Sequence, residues 1–263
     1  MTSLSPRVSA WLHYGWQRLG KFYAPWLHER QGIDLASGAC VDRFSRSKHA
    51  LMVSASKKLV LAAPQREFRM QVLPLEATLS RPQLMEMLQA RRVVTKDTAI
   101  DVLVEPMERA SIAVFSLSCA QREAWQSCYQ TPARFIVAIE PDVHALSRYA
   151  QHQHVAHQPW LVTTPQQNTL YWPTAWPWGY HAEPLPAVTF ERASLYLALH
   201  TAIRRACLMT NNEAPNQEAL RLAGSLSLCQ HWQRGVDDIE WHASDEPHPV
   251  AAGAALKTQR QWV

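Results

Sequence analysis

The sequence predicts an α/β protein built as two lobes, and three observations carry that expectation. First, an apolar run from Phe135 to Ile139 breaks at Glu140-Pro141-Asp142 and resumes with helical spacing at Val143, Leu146 and Ala150. A short strand, apolar and β-branched enough to be covered on both faces, therefore feeds a helix. Second, short apolar segments separated by turn residues fill residues 31 to 75. Third, a stretch rich in Pro, Trp, His and Gln, from Gln151 to Pro186, sets these apart from a second series of helices and strands, and the lobe boundary falls there. With 263 residues the chain is long enough for two cores of ordinary size.

Residues 1 to 30 place Val8, Trp11, Leu12, Trp16, Leu19, Phe22, Tyr23 and Trp26 at roughly helical intervals, with Arg7, Arg18 and Lys21 interleaved. That spacing predicts an amphipathic helix that packs on its own domain, or else docks on a partner or a membrane headgroup layer. Gly32 to Val41 reads as strand, turn, strand. His49 to Ser54 and Lys58 to Ala63 follow as two more short strands, and together these predict an antiparallel meander. Met70 to Leu75 is another strand. Ser80 as N-cap and Pro82 in the first turn start a helix through Met85 and Leu88.

Ala99 to Val104 and Ala110 to Leu117 read as strands around a turn at Glu105 to Arg109, and Ser118 caps a helix from Ala120 to Tyr129. At the junction that follows Ile139, Pro141 removes a donor and Asp142 can cap or charge the first helical turn, so Glu140 and Asp142 read either as candidate catalytic carboxylates or as turn and cap residues of the junction. Trp160 to Thr164 and Thr169 to Trp172 pair as a hairpin around Pro165-Gln166-Gln167-Asn168. Glu191 to Met209 is a long helix, Ala219 to Ala223 a strand and Leu226 to Gln233 a short helix. Ile239 to His242 is a last strand, and Val250 to Lys257 a helix of small residues.

Hydrophobic residues at 47% and charged ones at 18% describe a folded chain, and a net charge of +4 without any basic run argues against nucleic acid. The five cysteines, Cys40, Cys119, Cys128, Cys207 and Cys229, form no Cys-x-x-Cys pair, which points to a reducing cytosol rather than a disulfide framework or zinc ribbon. No segment offers the roughly eighteen uninterrupted apolar residues of a membrane span, and the N-terminus lacks the apolar core of a signal peptide. His144, His152, His154 and His157 could gather imidazoles, but no Cys or carboxylate in that short segment completes a metal site, so a solvated loop is expected. No Gly-x-Ser-x-Gly marks a serine hydrolase. The aromatics Trp160, Tyr171, Trp172, Trp176, Trp178 and Tyr180 are expected in a core. Residues 158 to 180 hold no Lys or Arg to line a nucleic-acid groove.

Five segments carry a resemblance. They are Gly32-Ile33-Asp34-Leu35-Ala36-Ser37; Leu59 to Pro64 with Met70 to Leu75 and the helix at Pro82 to Leu88; Ala138 to Arg148; Leu220 to Ser225; and Val250 to Lys257. In that order and spacing, over about residues 31 to 257, the chain resembles the PilM-like family of type IV pilus assembly and DNA-uptake (competence) proteins, including its short HofM- and ComA-type members. The resemblance implies a two-lobed actin-like (ribonuclease H-like) fold with a small inserted subdomain and a shortened C-terminal lobe. On that plan residues 1–30 are a helical extension, 31–157 the first lobe with the insert at about 68–130, and 158–263 the second, reduced lobe.

The same resemblance names the site residues. A nucleotide cleft would use Asp34, Ser37 and Gly38 in the first phosphate turn and Gly224 and Ser225 at the adenosine turn, with ATP and magnesium as ligand. The chain departs from the family's pattern: Ala36 replaces the usual glycine, residues 161 to 168 lack Asp-x-Gly and contain Pro165, and Ser225 replaces a second glycine. Phosphoryl transfer depends on donors and a carboxylate held at those places, so neither cofactor nor ATPase activity is expected, and no residue is assigned as catalytic. The implied role is a cytoplasmic scaffold, peripheral at the inner membrane, that binds the cytoplasmic tail of a PilN-like membrane protein and further platform proteins. An ATP-dependent switch, and a membrane-surface protein anchored by residues 7 to 26, are the rival expectations.

Overall fold

Residues 30–42, 57–74, 81–93, 98–107, 111–131, 134–176, 178–185, 191–210 and 219–257 are described by the structure, a computed structural model. The amphipathic segment before Arg30 and the strand expected at His49 to Ser54 lie outside the described residues.

Four strands form the first sheet, in the order β2-β1-β3-β7: β1 (Arg30–Asp34), β2 (Cys40–Asp42), β3 (Lys57–Ala63) and β7 (Arg134–Pro141). β2 runs antiparallel to β1 through the turn at 35–39, whereas β3 is parallel to β1 and β7 parallel to β3. The antiparallel meander expected over residues 31 to 63 is thus corrected at β3. A crossover brings Leu59 to Ala62 beside Gln31 to Asp34 on the far side of β1 from β2. The residues of β3 from Leu59 to Ala63 are fully buried, which suits a parallel strand covered on both faces and explains their unbroken apolar run.

Between β3 and β7 the chain builds a second, three-stranded sheet of order β4-β6-β5, with β4 (Arg69–Pro74), α1 (Arg81–Ala90), β5 (Thr98–Met107), β6 (Ser111–Ser118) and α2 (Cys119–Tyr129). β5 continues to Met107, so Glu105 to Met107, expected in a turn, pair with Ala113 to Ser111 instead. Ile112 and Val114 of β6 pack on Leu84 and Leu88 of α1, while Phe115 faces the other way and meets His144 and Trp178 edge-on at 5.0 and 5.1 Å. Ser118 caps α2 as expected, its hydroxyl accepting from the Gln121 amide at 3.2 Å.

A third sheet has the order β10-β9-β8-β11-β12: β8 (Trp160–Thr163), β9 (Asn168–Pro173), β10 (Tyr180–Pro184), β11 (Ala219–Gly224) and β12 (Glu240–Ala243). Its first three strands are antiparallel and the last two run parallel to β8. β10 had no sequence signal beyond its neighbours' aromatics. α4 (Arg192–Thr210) and α5 (Leu226–Gly235) cover one face of this sheet, where Leu195, Leu199, Ile203 and Trp232 meet Leu161, Trp172 and Leu222.

α3 (Asp142–His152) and α6 (Pro249–Ala255) fill the space between the first and third sheets, in a core that includes Val60, Leu146, Trp160, Tyr171 and Val250. α6 therefore returns from the end of the third sheet to β1. A Cβ at Gly32 would lie 2.0 Å from the Ala251 carbonyl oxygen, and one at Gly253 1.8 Å from that of Ala145, so glycine is what lets the layers β1, α6 and α3 approach. Trp160, Tyr171, Trp172, Trp178 and Tyr180 are all buried, as the hairpin's composition predicts. His152 at the end of α3 and His154 and His157 on the loop after it are exposed, and no group of three or more metal-ligating side chains occurs among the described residues. No described helix is long and apolar enough to cross a membrane.

Candidate functional site

In open α/β sheets ligands bind where parallel strands end at their carboxyl edge. Here Asp34 ends β1, Gln65 follows β3, Asp142 follows β7, Thr163 ends β8 and Gly224 ends β11. The five residues singled out by resemblance fall at these ends in two sets: Asp34, Ser37 and Gly38 share the β1–β2 turn, and Gly224 and Ser225 join β11 to α5.

The β1–β2 turn is closed on itself. Asp34 Oδ1 accepts from the Ala36 amide at 3.0 Å and Oδ2 from the Ser37 hydroxyl at 2.6 Å. The Gly38 amide donates to the Asp34 carbonyl at 2.8 Å, and the Ala39 amide to Ser37 Oγ at 3.2 Å. Gly38 adopts φ +69° in open space, the conformation the turn requires. Burial pushes the Asp34 carboxyl above its ordinary range, against the opposing hydrogen bonds from Ser37 and Ala36 and the charge of His248.

The β8–β9 turn is likewise self-satisfied. The Thr164 hydroxyl donates to the Gln167 carbonyl at 2.7 Å and accepts from the Gln167 amide at 2.9 Å, while Thr163 Oγ1 donates to Asn168 Oδ1 at 2.6 Å. Gly224 takes φ +147°, and a Cβ there would meet the Thr163 carbonyl oxygen at 2.3 Å, so only glycine fits on both counts. The residue that resemblance placed against adenosine thus packs on the adjacent strand. Ser225 sits at the N-cap of α5 without a side-chain capping bond.

Asp142, read from sequence as a cap, is buried at 2% exposure where the first and third sheets meet. Its Oδ1 accepts from the Val143 amide at 2.8 Å and from the Gln65 amide at 3.0 Å, and its Oδ2 accepts from the Tyr171 hydroxyl at 2.9 Å. Pro141 is the N-cap of α3 and Asp142 its first residue, so Asp142 charges the first turn rather than capping it, and its bonds to Gln65 and Tyr171 make it a link between sheets. Burial raises its pKa to about 7, with the charge of Asp34 adding to the effect and the three hydrogen bonds opposing it. Gln65 extends the link, its Oε1 accepting from the Ala182 amide of β10 at 3.1 Å, and Arg66 donates to Gln167 Oε1 at 3.3 Å.

Glu140, also read as a turn residue, is corrected by the structure to a buried ion pair. It is 0% exposed and bonds Lys257 Nζ at 2.6 Å and the Arg148 guanidinium. Arg148 also donates to the Gly253 carbonyl at 3.1 Å. Burial opposes ionisation of Glu140, yet Arg148 and Lys257 outweigh it and hold the carboxyl below its ordinary range. The neighbouring His144 is held neutral, its pKa lowered to about 4 first by burial and then by those two cations. Sequence reasoning missed Gln65, Tyr171 and Lys257 as partners. The only signal was two carboxylates beside a proline in an apolar run, a pattern that requires buried counter-groups.

No protein-family model matches the chain, and no curated protein does. Among solved structures it is similar to a chain of the PilM–PilN type IV pilus biogenesis complex, at 11% identity and TM-score 0.50, over 87% of this chain and 98% of that one. It is also similar to the cytoplasmic domain of EpsL, an inner membrane component of the type II secretion system of Vibrio cholerae, with 10% identity, TM-score 0.47 and coverage of 88% and 95%. A Bacteroides thetaiotaomicron protein with actin-like ATPase fold and unknown function gives 9% identity, TM-score 0.44 and coverage of 89% and 98%. The chain therefore shares the fold of a chain of the PilM–PilN complex, a mixed α/β architecture of two larger sheets with a small three-stranded sheet inserted between β3 and β7.

Proposed function

We propose that this chain is a PilM-like cytoplasmic scaffold that holds the short cytoplasmic tail of a PilN-like inner-membrane protein in a pilus or secretion platform, and that it does not turn over nucleotide. The observation that carries the reading is the cleft. In a fold shared with a chain of the PilM–PilN complex, the place where a nucleotide would lie is closed by the protein's own bonds, Tyr171 to Asp142 and Gln65 to Ala182. Both phosphate-type turns use their donors internally, and Pro165 supplies none. These residues do not fit a triphosphate and its metal. A fold freed from nucleotide keeps its surfaces, and a scaffold needs only those.

The partner surface in this reading is a groove on the first lobe, residues 31 to 63 and 133 to 157, bordered by β4 of the inserted sheet. Met70 and Val72 of β4 are exposed at 39% and 51%, opposite Phe115 and Ala113 and therefore on the face of the sheet turned to α3. β4 is an edge strand among the described residues, so an extended tail could pair with its backbone and cover both apolar side chains.

Fluorescence anisotropy with a labelled cytoplasmic tail of a PilN-like single-span membrane protein tests the proposal. Saturable binding is expected, weakened by Met70→Asp with Val72→Asp and unchanged by millimolar ATP with magnesium. Absence of binding, or calorimetric ATP binding that Asp34→Ala abolishes, would replace the scaffold with the nucleotide-switch reading.

A further inference from the structure

α4 and α5 lie side by side on one face of the third sheet, and the Cβ position of Gly235 in α5 meets Leu195 of α4. Their inner residues are buried, yet their outer surface is not polar. Leu197 is 69% exposed, Leu208 80%, Met209 62% and Leu226 75%, beside the exposed Arg204 and Arg234. The two helices together hold four arginines and two histidines and not one Asp or Glu. Nearby acids occupy other cations, Asp237 pairing with Arg192 and Glu183 with Arg205, while Asp238 lies 3.2 Å from His200 Nε2. Among the described residues, neither Arg204 nor Arg234 forms an ion pair.

A helix that only covers its own sheet gains nothing from exposed leucines and methionine, and a soluble face of this kind ordinarily carries both signs of charge. Apolar side chains projecting beside the unpaired Arg204 and Arg234, with the flanking Asp237 held by Arg192, match a negatively charged headgroup surface: the apolar tips reach the acyl boundary while the guanidinium groups stay among phosphates. A second copy of the chain would set cation against cation.

We propose that the outer layer of α4 and α5 docks directly on an anionic lipid surface. This contact belongs to the folded domain itself and is separate from the tail-binding groove and from residues 7 to 26. It would fix which side of the scaffold faces the bilayer, so that the bound tail and the lipid hold the protein at two points.

Co-sedimentation of the full chain with vesicles tests this. Binding is expected to vesicles of phosphatidylglycerol and phosphatidylcholine in equal parts, much less to phosphatidylcholine alone, and to fall with added salt. Arg204→Ala with Arg234→Ala should lower partition by about tenfold or more, since each cation near such a surface contributes a factor of about five. Leu197→Ser with Leu208→Ser should lower it without changing the melting temperature, because both side chains are exposed. Residues 1–29 are common to every variant, so the differences report on α4 and α5. Equal partition of wild type into both vesicles, or variants that bind like wild type, would overturn the proposal. So would a light-scattering mass that halves in the leucine variant while vesicle binding stays constant, which would assign the face to a second copy.

Discussion

The Tyr171 hydroxyl donates to the Asp142 carboxylate at 2.9 Å, and this bond ties the third sheet to the start of the helix that follows the first. Both side chains are almost wholly buried, Asp142 at 2% and Tyr171 at 2% exposure. Burial drives the Tyr171 hydroxyl well above its ordinary range, with the charges of Asp142 and Asp34 adding to it, so Tyr171 stays a donor at any accessible pH. Asp142 is the member that titrates.

Asp142→Asn should stabilise the protein at alkaline pH and change little near pH 4. The folded-state pKa of Asp142 is raised to about 7 from an ordinary 3.8, so its contribution is fully present below the ordinary value and is lost as pH rises through 7. The shift corresponds to about 4 kcal/mol at most. Asparagine keeps acceptors for the Val143 and Gln65 amides and turns an N–H toward Tyr171. His144, whose pKa is lowered to about 4, loses stability in the opposite direction as pH falls below its ordinary 6.5. The difference between variant and wild-type melting curves from pH 4 to 8 therefore isolates Asp142. A gap that does not widen with pH would show that the carboxylate is not strained by burial.

Glu140→Ala should destabilise by roughly 3 to 5 kcal/mol, because it leaves Lys257, itself 3% exposed, buried without its counter-charge. Replacing Lys257 by Met in the same chain should restore part of the loss, since it removes the orphaned charge while the cavity of the truncation stays. Glu140 is held below its ordinary range, so this contribution is present above pH 4.5 and is lost as pH falls through the lowered value. Urea unfolding of the two single variants and the double variant closes the cycle.

The strands and helices were legible because their periodicities were strong. The apolar run at Phe135 to Ile139, the hairpin around Pro165 and the capped helix after Ser118 all stand where the sequence puts them. Strand direction was not legible for β3. The unbroken apolar run Leu59 to Ala63 suits a strand covered on both faces, but a run so short does not fix its neighbour's direction, which the crossover establishes only after folding. The site was half legible. Asp34 and Gly224 could be found because special backbone geometry requires particular residue types, whereas Tyr171, Gln65 and Lys257 act through pairings 29, 77 and 117 residues away in sequence, which no local pattern encodes.

Asp34→Ala should cost about 1 to 2 kcal/mol of stability and leave tail binding unchanged. Its carboxylate holds the Ala36 amide and the Ser37 hydroxyl, so removal leaves those donors within a turn that is only partly open to water. Asp34→Asn should cost less, since burial already raises the carboxyl's pKa and the amide oxygen keeps one acceptor. Denaturant midpoints measure the first effect and tail-peptide anisotropy the second. A large loss of peptide affinity in a variant with a near-normal midpoint would move Asp34 from a turn-closing residue to a binding residue.

Gly253→Ala and Gly38→Ala separate close packing from backbone strain. The Cβ added at Gly253 would stand 1.8 Å from the Ala145 carbonyl oxygen and 3.2 Å from Tyr149 Cβ, so α6 would have to move off α3, carrying Lys257 away from Glu140. Overpacking of that kind costs about 3 kcal/mol or more, because backbone rather than a flexible side-chain tip must give. At Gly38 the added methyl meets nothing within 4 Å, and only φ +69° resists, at about 1 to 2 kcal/mol. Melting temperatures should therefore fall further for Gly253→Ala, and limited proteolysis should open the segment from Pro249 to Lys257 in that variant alone. Equal losses at the two positions would mean that α6 is not wedged between β1 and α3 as the glycine contacts require.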